Sequence, residues 1–176
     1  MKCLVIGGAG FIGSNLVDRL IDDGHDVTIV DNLSTAKFFK QDITDINKMW
    51  PYQVDEMFED VDIVFHLAAK ARVQPSIENP IEYNDVNVSG LLNVLDACVK
   101  SKVKRFVYSS SSSVYGNVEK FPTNEETELN PLSPYALQKL MGEQYCKLFS
   151  LLHRLETVCL RYFNVYGERQ LTEGAY

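Results

Sequence analysis

Residues 3–13 read Cys3-Leu4-Val5-Ile6-Gly7-Gly8-Ala9-Gly10-Phe11-Ile12-Gly13, followed by Ser14-Asn15-Leu16-Val17-Asp18-Arg19-Leu20-Ile21. Leu4 to Ile6 is a short apolar, partly β-branched run of the kind a buried strand uses. Ile12, Leu16, Val17, Leu20 and Ile21 recur at helical spacing and share one face. The glycines therefore occupy a strand-to-helix turn. A phosphate at such a turn meets exposed backbone N–H groups and the positive end of the helix dipole. Gly7 permits the tight bend, Gly10 lets the backbone approach a pyrophosphate, and Gly13 lets helix and strand pack closely. The spacing is G-x-x-G-x-x-G, one residue looser than the G-x-G-x-x-G dinucleotide fingerprint.

A second run, His25-Asp26-Val27-Thr28-Ile29-Val30, reads as a strand and ends in Asp31, 18 residues past Gly13. An acid at about that distance suits a ribose hydroxyl. A carboxylate there repels a 2′-phosphate, which favours NAD over NADP.

Strand and helix alternate along the rest of the chain. Lys37 to Gln41, Val61 to Phe65, Arg105 to Tyr108 and Thr157 to Leu160 read as strands. Val88, Leu91, Leu92, Leu95 and Val99 mark a long helix. Ser133-Pro134 looks like an N-cap followed by proline at the first helical position, and Leu137, Met141, Tyr145, Leu148 and Leu152 form an apolar stripe behind it. This alternation predicts an α/β fold: a Rossmann-like, doubly wound parallel sheet with helices on both faces. Ligands of such sheets gather at the carboxyl ends of the strands. Gly7, Asp31, Asp42, Leu67, Ser109 and Tyr162 all fall at such ends.

The 176 residues are 45% apolar and 23% charged, enough for one domain of ordinary size. A net charge of −7 offers no general attraction for nucleic acid or an anionic membrane. No apolar run approaches the roughly 18 residues of a membrane span. Met1-Lys2 leads straight into the first strand without a signal-peptide pattern. Cys3, Cys98, Cys146 and Cys159 are scattered in apolar or helical stretches, as reduced structural thiols of a cytoplasmic protein are.

The chemistry lies farther on. Tyr135 and Lys139 are four residues apart, so they stack on one helix face. A tyrosine is a poor base near neutral pH, with an ordinary pKa of about 10. A nearby ammonium favours the phenolate, and a positive nicotinamide pushes the same way. The pair then becomes a base able to accept a proton from a sugar hydroxyl. The serine run Ser109 to Ser113 ends a strand beside it and supplies a hydroxyl to donate or relay that proton.

These segments together resemble the extended short-chain dehydrogenase/reductases of the NAD-dependent epimerase/dehydratase family, and within it the UDP-glucose or UDP-N-acetylglucosamine 4-epimerases. The matching stretches are GGAGFIG at 7–13, DNLS at 31–34, DI at 42–43 and HLAA at 66–69. They continue with NVSG at 87–90, SSSSSVYG at 109–116, SPYALQK at 133–139 and RYFNVYG at 161–167. The resemblance implies that Ser111, Tyr135 and Lys139 are catalytic. It implies that Phe11 and Ile12 line the pyrophosphate turn, that Asp31 and Asn32 hold the adenosine ribose, and that Asp42 and Ile43 border adenine. It sets Leu67, Ala68, Ala69, Asn87 and Ser109 beside the dinucleotide, Tyr162 near nicotinamide, and Val73 and Asn164 against the sugar nucleotide. A homodimer built on the helices around 88–100 and 134–152 is the assembly it implies.

The serine run separates relatives by chemistry. The family's 4,6-dehydratases carry an adjacent Asp and Glu at this point, and its decarboxylating members keep a Glu; here the positions hold Ser112 and Ser113. Loss of water needs an acid and a base beyond the tyrosine. Epimerisation needs only Tyr, Lys, Ser and NAD. Two other readings remain open at this point: a non-catalytic dinucleotide-binding or regulatory module, and a keto-reductase of the same family. Only Thr35 to Gln41 separate the DNLS and DI segments, where the family usually has more. The chain ends at Tyr176, where relatives continue into a smaller substrate domain, so residues 1–176 are expected to hold the cofactor half and the catalytic residues.

Other residues read as structural. His66 is expected to pack or hydrogen-bond rather than bind metal, since no partner has ligand spacing. Trp50 is expected to cap helix packing. Lys100, Lys102, Lys104 and Arg105 suit a solvated helix end. Lys70 and Arg72 follow HLAA and stand either as surface charges or as phosphate partners.

Overall fold

The computed structural model describes residues 1–33 and 57–170. Its sheet has five parallel strands: β1 (Lys2–Ile6), β2 (Asp26–Val30), β3 (Ile63–His66), β4 (Arg105–Ser111) and β5 (Glu156–Tyr162). Their spatial order is β2-β1-β3-β4-β5. The chain runs outward from β1 to β2, then returns to the other side of β1 to start β3. The carboxyl ends of β1 and β3 thus flank the point where strand order reverses, the crevice in which doubly wound sheets bind ligands. The expected strand at 37–41, together with Asp42, Ile43 and Trp50, lies outside the described residues.

Alternation along each strand sorts the side chains onto two covered faces. Cys3 and Val5 of β1 pack with Val17 and Leu20 of helix α1 (Phe11–Asp22). Leu4 and Ile6 point the other way, into the larger core with Val64, Phe106 and Tyr108. That second face is covered by α4 (Leu91–Lys100) and α5 (Pro134–His153), through residues such as Leu91, Val94, Leu95, Cys98 and Cys146. Two short helices, α2 (Val73–Glu78) and α3 (Pro80–Asn84), are separated by Asn79, and from α3 a wide π turn (Asp85–Gly90) runs without a break into α4. Sequence periodicity showed only the last part of this run. Pro75 and Pro80 interrupt the pattern upstream and hide two helical pieces.

α5 carries the proposed base and starts as the sequence predicts. The Ser133 hydroxyl accepts from Ala136 N at 3.1 Å, and Pro134 takes the first helical position. Its seat on the sheet is close. The Tyr108 ring is fully buried under Gly142, where an added Cβ would stand 2.3 Å from the phenolic oxygen. Glycine is needed there for space.

Gly142→Ala is therefore expected to destabilise the protein by about 1–3 kcal/mol, the usual scale of overpacking a buried contact. Urea unfolding checks this. A loss below about 0.5 kcal/mol would mean that Tyr108 moves aside freely.

Candidate active site

The glycine turn is built as its spacing requires. Gly7 has φ +85°, and an added Cβ would lie 2.5 Å from Ala68 N, so the turn backs directly onto the strand end of β3. Leu67 N and Ala68 N both donate to Ile6 O, at 2.8 and 2.9 Å, which brings the HLAA segment against the turn. A Cβ on Gly13 would stand 2.1 Å from Gly7 O, which accounts for that glycine by packing. Gly8, which sequence reading left without a role, is crowded by Ile29 of β2 at 2.8 Å. Gly10 is different: an added Cβ would meet nothing nearer than 3.4 Å. Among the described residues nothing inside the protein demands glycine there, and the turn is left open on that side. Gly10 is also the N-cap of α1, and neither a side-chain cap nor an acidic first-turn residue serves that helix end. Its positive end, with Phe11, Ile12 and Gly13 in the first turn, is left to an anion.

Asp31 is buried at the end of β2. Its two carboxylate oxygens accept from Ala9 N at 3.0 Å and from Leu33 N at 2.8 Å. The carboxylate therefore ties the glycine turn to the β2 end, holding its negative charge beside the turn. Asn32 follows it directly.

The second half of the site lies at the end of β4. Ser111 pairs in register with Tyr162 of β5. Its hydroxyl oxygen receives Ser113 N at 3.2 Å and Ser113 Oγ at 2.9 Å. With both lone pairs engaged, its own proton is left to point elsewhere. The Ser111 hydroxyl hydrogen-bonds the Tyr135 phenol, and this contact pulls the phenol's pKa down. Burial acts more strongly, and Tyr83 adds to it, so the Tyr135 pKa is raised above its ordinary 10.0. Among the protein's own groups burial sets the direction of the shift, and the phenolate expectation counts on Lys139 together with a positive nicotinamide. The Lys139 ammonium stands 5.9 Å from the Tyr135 ring centroid. A further positive charge must join before the phenol becomes a base near neutral pH.

Lys139 is buried, with its ammonium donating to Ser109 O at 2.8 Å. It also lies 5.1 Å from the centroid of the Tyr108 ring, between two aromatic faces. Burial lowers its pKa from 10.5 to about 8. One of its three donors is spent on Ser109, which leaves it able to serve a hydroxyl in the crevice.

Asn87, in the π turn, is buried and meets Lys70 from both sides. Its carbonyl accepts from Lys70 N at 2.8 Å, and its amide donates to Lys70 O and Gln138 Oε1, each at 3.0 Å. It clamps the loop after HLAA onto α5. Val73 and Asn164 are exposed and Tyr162 is half-buried. After Tyr162 the chain crosses the carboxyl edge of the sheet. Asn15 of α1 donates to Glu168 O at 3.0 Å, and Arg169 pairs with Asp18. This crossing brings the segment holding Tyr162 and Asn164 back toward the glycine turn.

Lys70 pairs with Glu82 and lies over the Tyr83 ring, so its charge is answered on α3 rather than at the glycine turn. His66 is buried among Phe106 and Tyr108, with ring centroids 5.7 and 6.0 Å away. Burial, helped by the Lys139 charge, drives its pKa down to about 3, so it stays neutral and packs. Among the described residues no cluster of His, Cys, Asp and Glu could hold a metal ion. Lys100, Lys104 and Arg105 pair with Asp96, Asp62 and Glu156 on the surface, where such pairs contribute little.

Sequence reasoning missed a polar network behind the serines. Ser110 donates to Glu143 of α5, and Arg161 holds the same carboxylate at 2.7 and 2.9 Å. Arg161 also donates to the Tyr115 hydroxyl at 3.0 Å. Their chain separations of 18 to 46 residues left no local signal.

A sequence model of the NAD dependent epimerase/dehydratase family matches residues 3–175. The chain belongs to that family. It is 39% identical to the UDP-glucose 4-epimerase of Lactobacillus helveticus over 95% of its own length and 52% of that protein's. Among solved structures it is similar to the Thermus thermophilus UDP-glucose 4-epimerase in complex with NAD. The identity is 38% and the TM-score 0.91, over 99% of this chain and 58% of that one. It is similar too to the UDP-N-acetylglucosamine 4-epimerase of Methanobrevibacter ruminantium in complex with UDP-N-acetylmuramic acid. There the identity is 40% and the TM-score 0.90, covering 99% and 58%. The chain spans about half the length of the curated relatives it matches. As a member of an NAD dependent family, it has NAD as its cofactor, and the uncapped end of α1 beside Asp31 fits that group.

Two measurements follow. NADH is expected to bind at least about tenfold more tightly than NADPH, because placing a 2′-phosphate against the Asp31 carboxylate costs well over the roughly 1.4 kcal/mol of one decade. Asp31→Ala should narrow that ratio; fluorescence titration with both nucleotides decides it, and a preference for NADPH would overturn the assignment. For Lys139, the folded pKa of about 8 lies below the ordinary 10.5, so between those values the unfolded chain binds a proton the folded one lacks. Wild-type stability relative to Lys139→Met should then rise by about 1–3 kcal/mol as pH climbs through that window, and be flat below it. Urea denaturation of both proteins from about pH 7 to 10.5 reads this difference.

Proposed function

We propose that this chain is the cofactor-binding and catalytic part of an NAD-dependent nucleotide-sugar 4-epimerase acting on UDP-hexoses. The observation that carries the reading is the joined set of Ser111, Tyr135 and Lys139. A buried ammonium is bonded to the backbone of the β4 end, and the tyrosine on its helix face is hydrogen-bonded to the serine at that same end. A binding module has no need of a lysine buried at the cost its lowered pKa records. Similarity to epimerases whose structures hold NAD and UDP-sugars supports the same reading.

In this proposal Tyr135 accepts the 4′-hydroxyl proton and later returns it. NAD supplies, when bound, a hydride acceptor and the positive charge that favours the phenolate. Ser111, its lone pairs held by Ser113, has one proton to give: it holds the phenol in place until it turns to the developing oxyanion. Lys139 orients a ribose hydroxyl and adds its charge behind Tyr135. Phe11 and Ile12 carry the pyrophosphate turn, Asp31 and Asn32 the adenosine ribose, and Leu67, Ala68, Ala69 and Ser109 the flank of the dinucleotide. Tyr162 stands by the nicotinamide, and Val73 and Asn164 meet the sugar nucleotide. Serines at 112 and 113 give no acid for loss of a 6′-hydroxyl, so the 4-keto sugar is reduced again rather than dehydrated. We assign the choice of sugar and base to a substrate domain outside these residues.

We further propose a cytoplasmic homodimer. Among the described residues no helix is long and apolar enough to cross a membrane. Leu137, Leu148, Leu151 and Leu152 of α5 are exposed and offer an apolar face for a second copy.

Tyr135→Phe in the full-length natural protein is expected to lower turnover of UDP-glucose or UDP-N-acetylglucosamine by at least a factor of about a hundred, with NADH affinity nearly unchanged. Product analysis by NMR accompanies the rates. Retention of more than about a tenth of wild-type turnover, or a 4-keto-6-deoxy product, would sink the proposal.

A further inference from the structure

The start of α5 poses a hydrogen-bonding problem that local sequence solves only in part. The first N–H groups of a helix lack intrahelical acceptors. Pro134 has none to satisfy. Ala136 N is taken by the Ser133 hydroxyl at 3.1 Å, and Leu137 N by Ser133 O at 2.9 Å. The remaining donor is the backbone N–H of Tyr135 itself. It is met from 59 residues away, by the hydroxyl oxygen of Ser76 on α2 at 3.1 Å.

Both bonds of that hydroxyl are fixed in direction. A backbone N–H can only donate, so Ser76 Oγ is the acceptor toward Tyr135. A backbone carbonyl can only accept, so Ser76 donates to Val73 O, at 2.6 Å. Ser76 has no exposed surface, so water does not compete for either bond. α2 is anchored in turn. The loop before it is held by Asn87 against Lys70 and by the Tyr83 hydroxyl, which donates to Ala71 O at 2.7 Å. Gln138 receives Asn87 one position before Lys139.

We propose that Ser76 is a positioning residue for Tyr135: it fixes the backbone from which the phenol reaches Ser111. The inference rests on the epimerase reading above and goes beyond it. Ser76 touches no reacting atom. It sets the height and rotation of the first turn of α5, and so whether the phenol meets the serine at the end of β4. The titratable groups facing that phenol are Lys139 on its own helix, Tyr83 on α3 and Tyr108 on β4; Ser111 on β4 supplies the hydrogen bond. Loosening the turn weakens the Ser111 bond, the contribution that favours the phenolate, and the base then needs a higher pH to deprotonate.

The test uses Ser76→Ala in the full-length natural protein. The expected result is a fall in kcat of at least about tenfold, a change of less than about twofold in the NADH dissociation constant and in KM, and a shift of the acidic limb of the kcat–pH profile to higher pH. Wild-type kcat per folded molecule with an unmoved limb would overturn the assignment. So would a fall in kcat with the limb in place, which marks a merely structural role. Should the alanine variant fail to fold, Ser76→Cys keeps the volume and weakens the acceptor. It should give a smaller loss with the same direction of limb shift, and wild-type behaviour would overturn the assignment. Inactivity of the wild-type protein toward any UDP-hexose would instead overturn the epimerase reading, and is read separately.

Discussion

The fold turns on one buried charge. The Lys139 ammonium is buried beside the aliphatic and aromatic core, and its lowered pKa of about 8 records the cost of that burial. What holds it there is the Ser109 carbonyl, left over at the end of β4, and two aromatic faces. A bond from a helix side chain to a strand carbonyl fixes α5 relative to the sheet. Gly142 allows the approach by letting the Tyr108 ring lie flat beneath the helix. Tyr135, the proposed base, is then aimed by packing that extends well beyond its own surroundings. Neutral His66, packed beside the same lysine, adds no second positive charge to the region.

A single sheet edge also explains how parts far apart in the chain act together. β1 and β3 leave the glycine turn and the HLAA segment back to back at the switch point, with hydrogen bonds into the same Ile6 carbonyl. β4 and β5 end in register at Ser111 and Tyr162. The segment after β5 crosses this edge and is held by Asn15 and paired through Arg169 with Asp18. The glycine turn, Ser111 and Tyr162 lie on one side because a parallel sheet presents all its carboxyl ends there.

Much of this was legible in the sequence where the signal was local. Leu4 to Ile6 with the glycines behind them, Asp31 at the end of β2, Ser133-Pro134 at the start of α5 and the Tyr135/Lys139 spacing each carry their meaning within a few residues. Strand limits shifted by one to three positions, as they do when pairing rather than propensity ends a strand: β4 and β5 run on to Ser111 and Tyr162 because they pair with each other that far. The helices between Val73 and Asn84 escaped notice because prolines at 75 and 80 break the apolar period. The burial of Tyr135 and Lys139 was not legible for a related reason. Spacing shows that a lysine is near, but not how far both groups are desolvated.

What sequence alone did not reveal is the set of supports whose partners are remote. Ser76 under Tyr135, Asn87 against Gln138, and Glu143 between Ser110 and Arg161 join residues 18 to 59 positions apart. Each support has one end on α5 and the other on a different element: α2, the π turn, β4 or β5. A helix held only by its apolar stripe could slide or rotate by a fraction of a turn at small cost, since apolar contacts are not directional. Hydrogen bonds to fixed backbone and carboxylate groups are directional and, when buried, expensive to leave unmade. The polar supports around α5 thus select one placement among several that hydrophobic packing would tolerate, and that placement brings the Tyr135 phenol to Ser111.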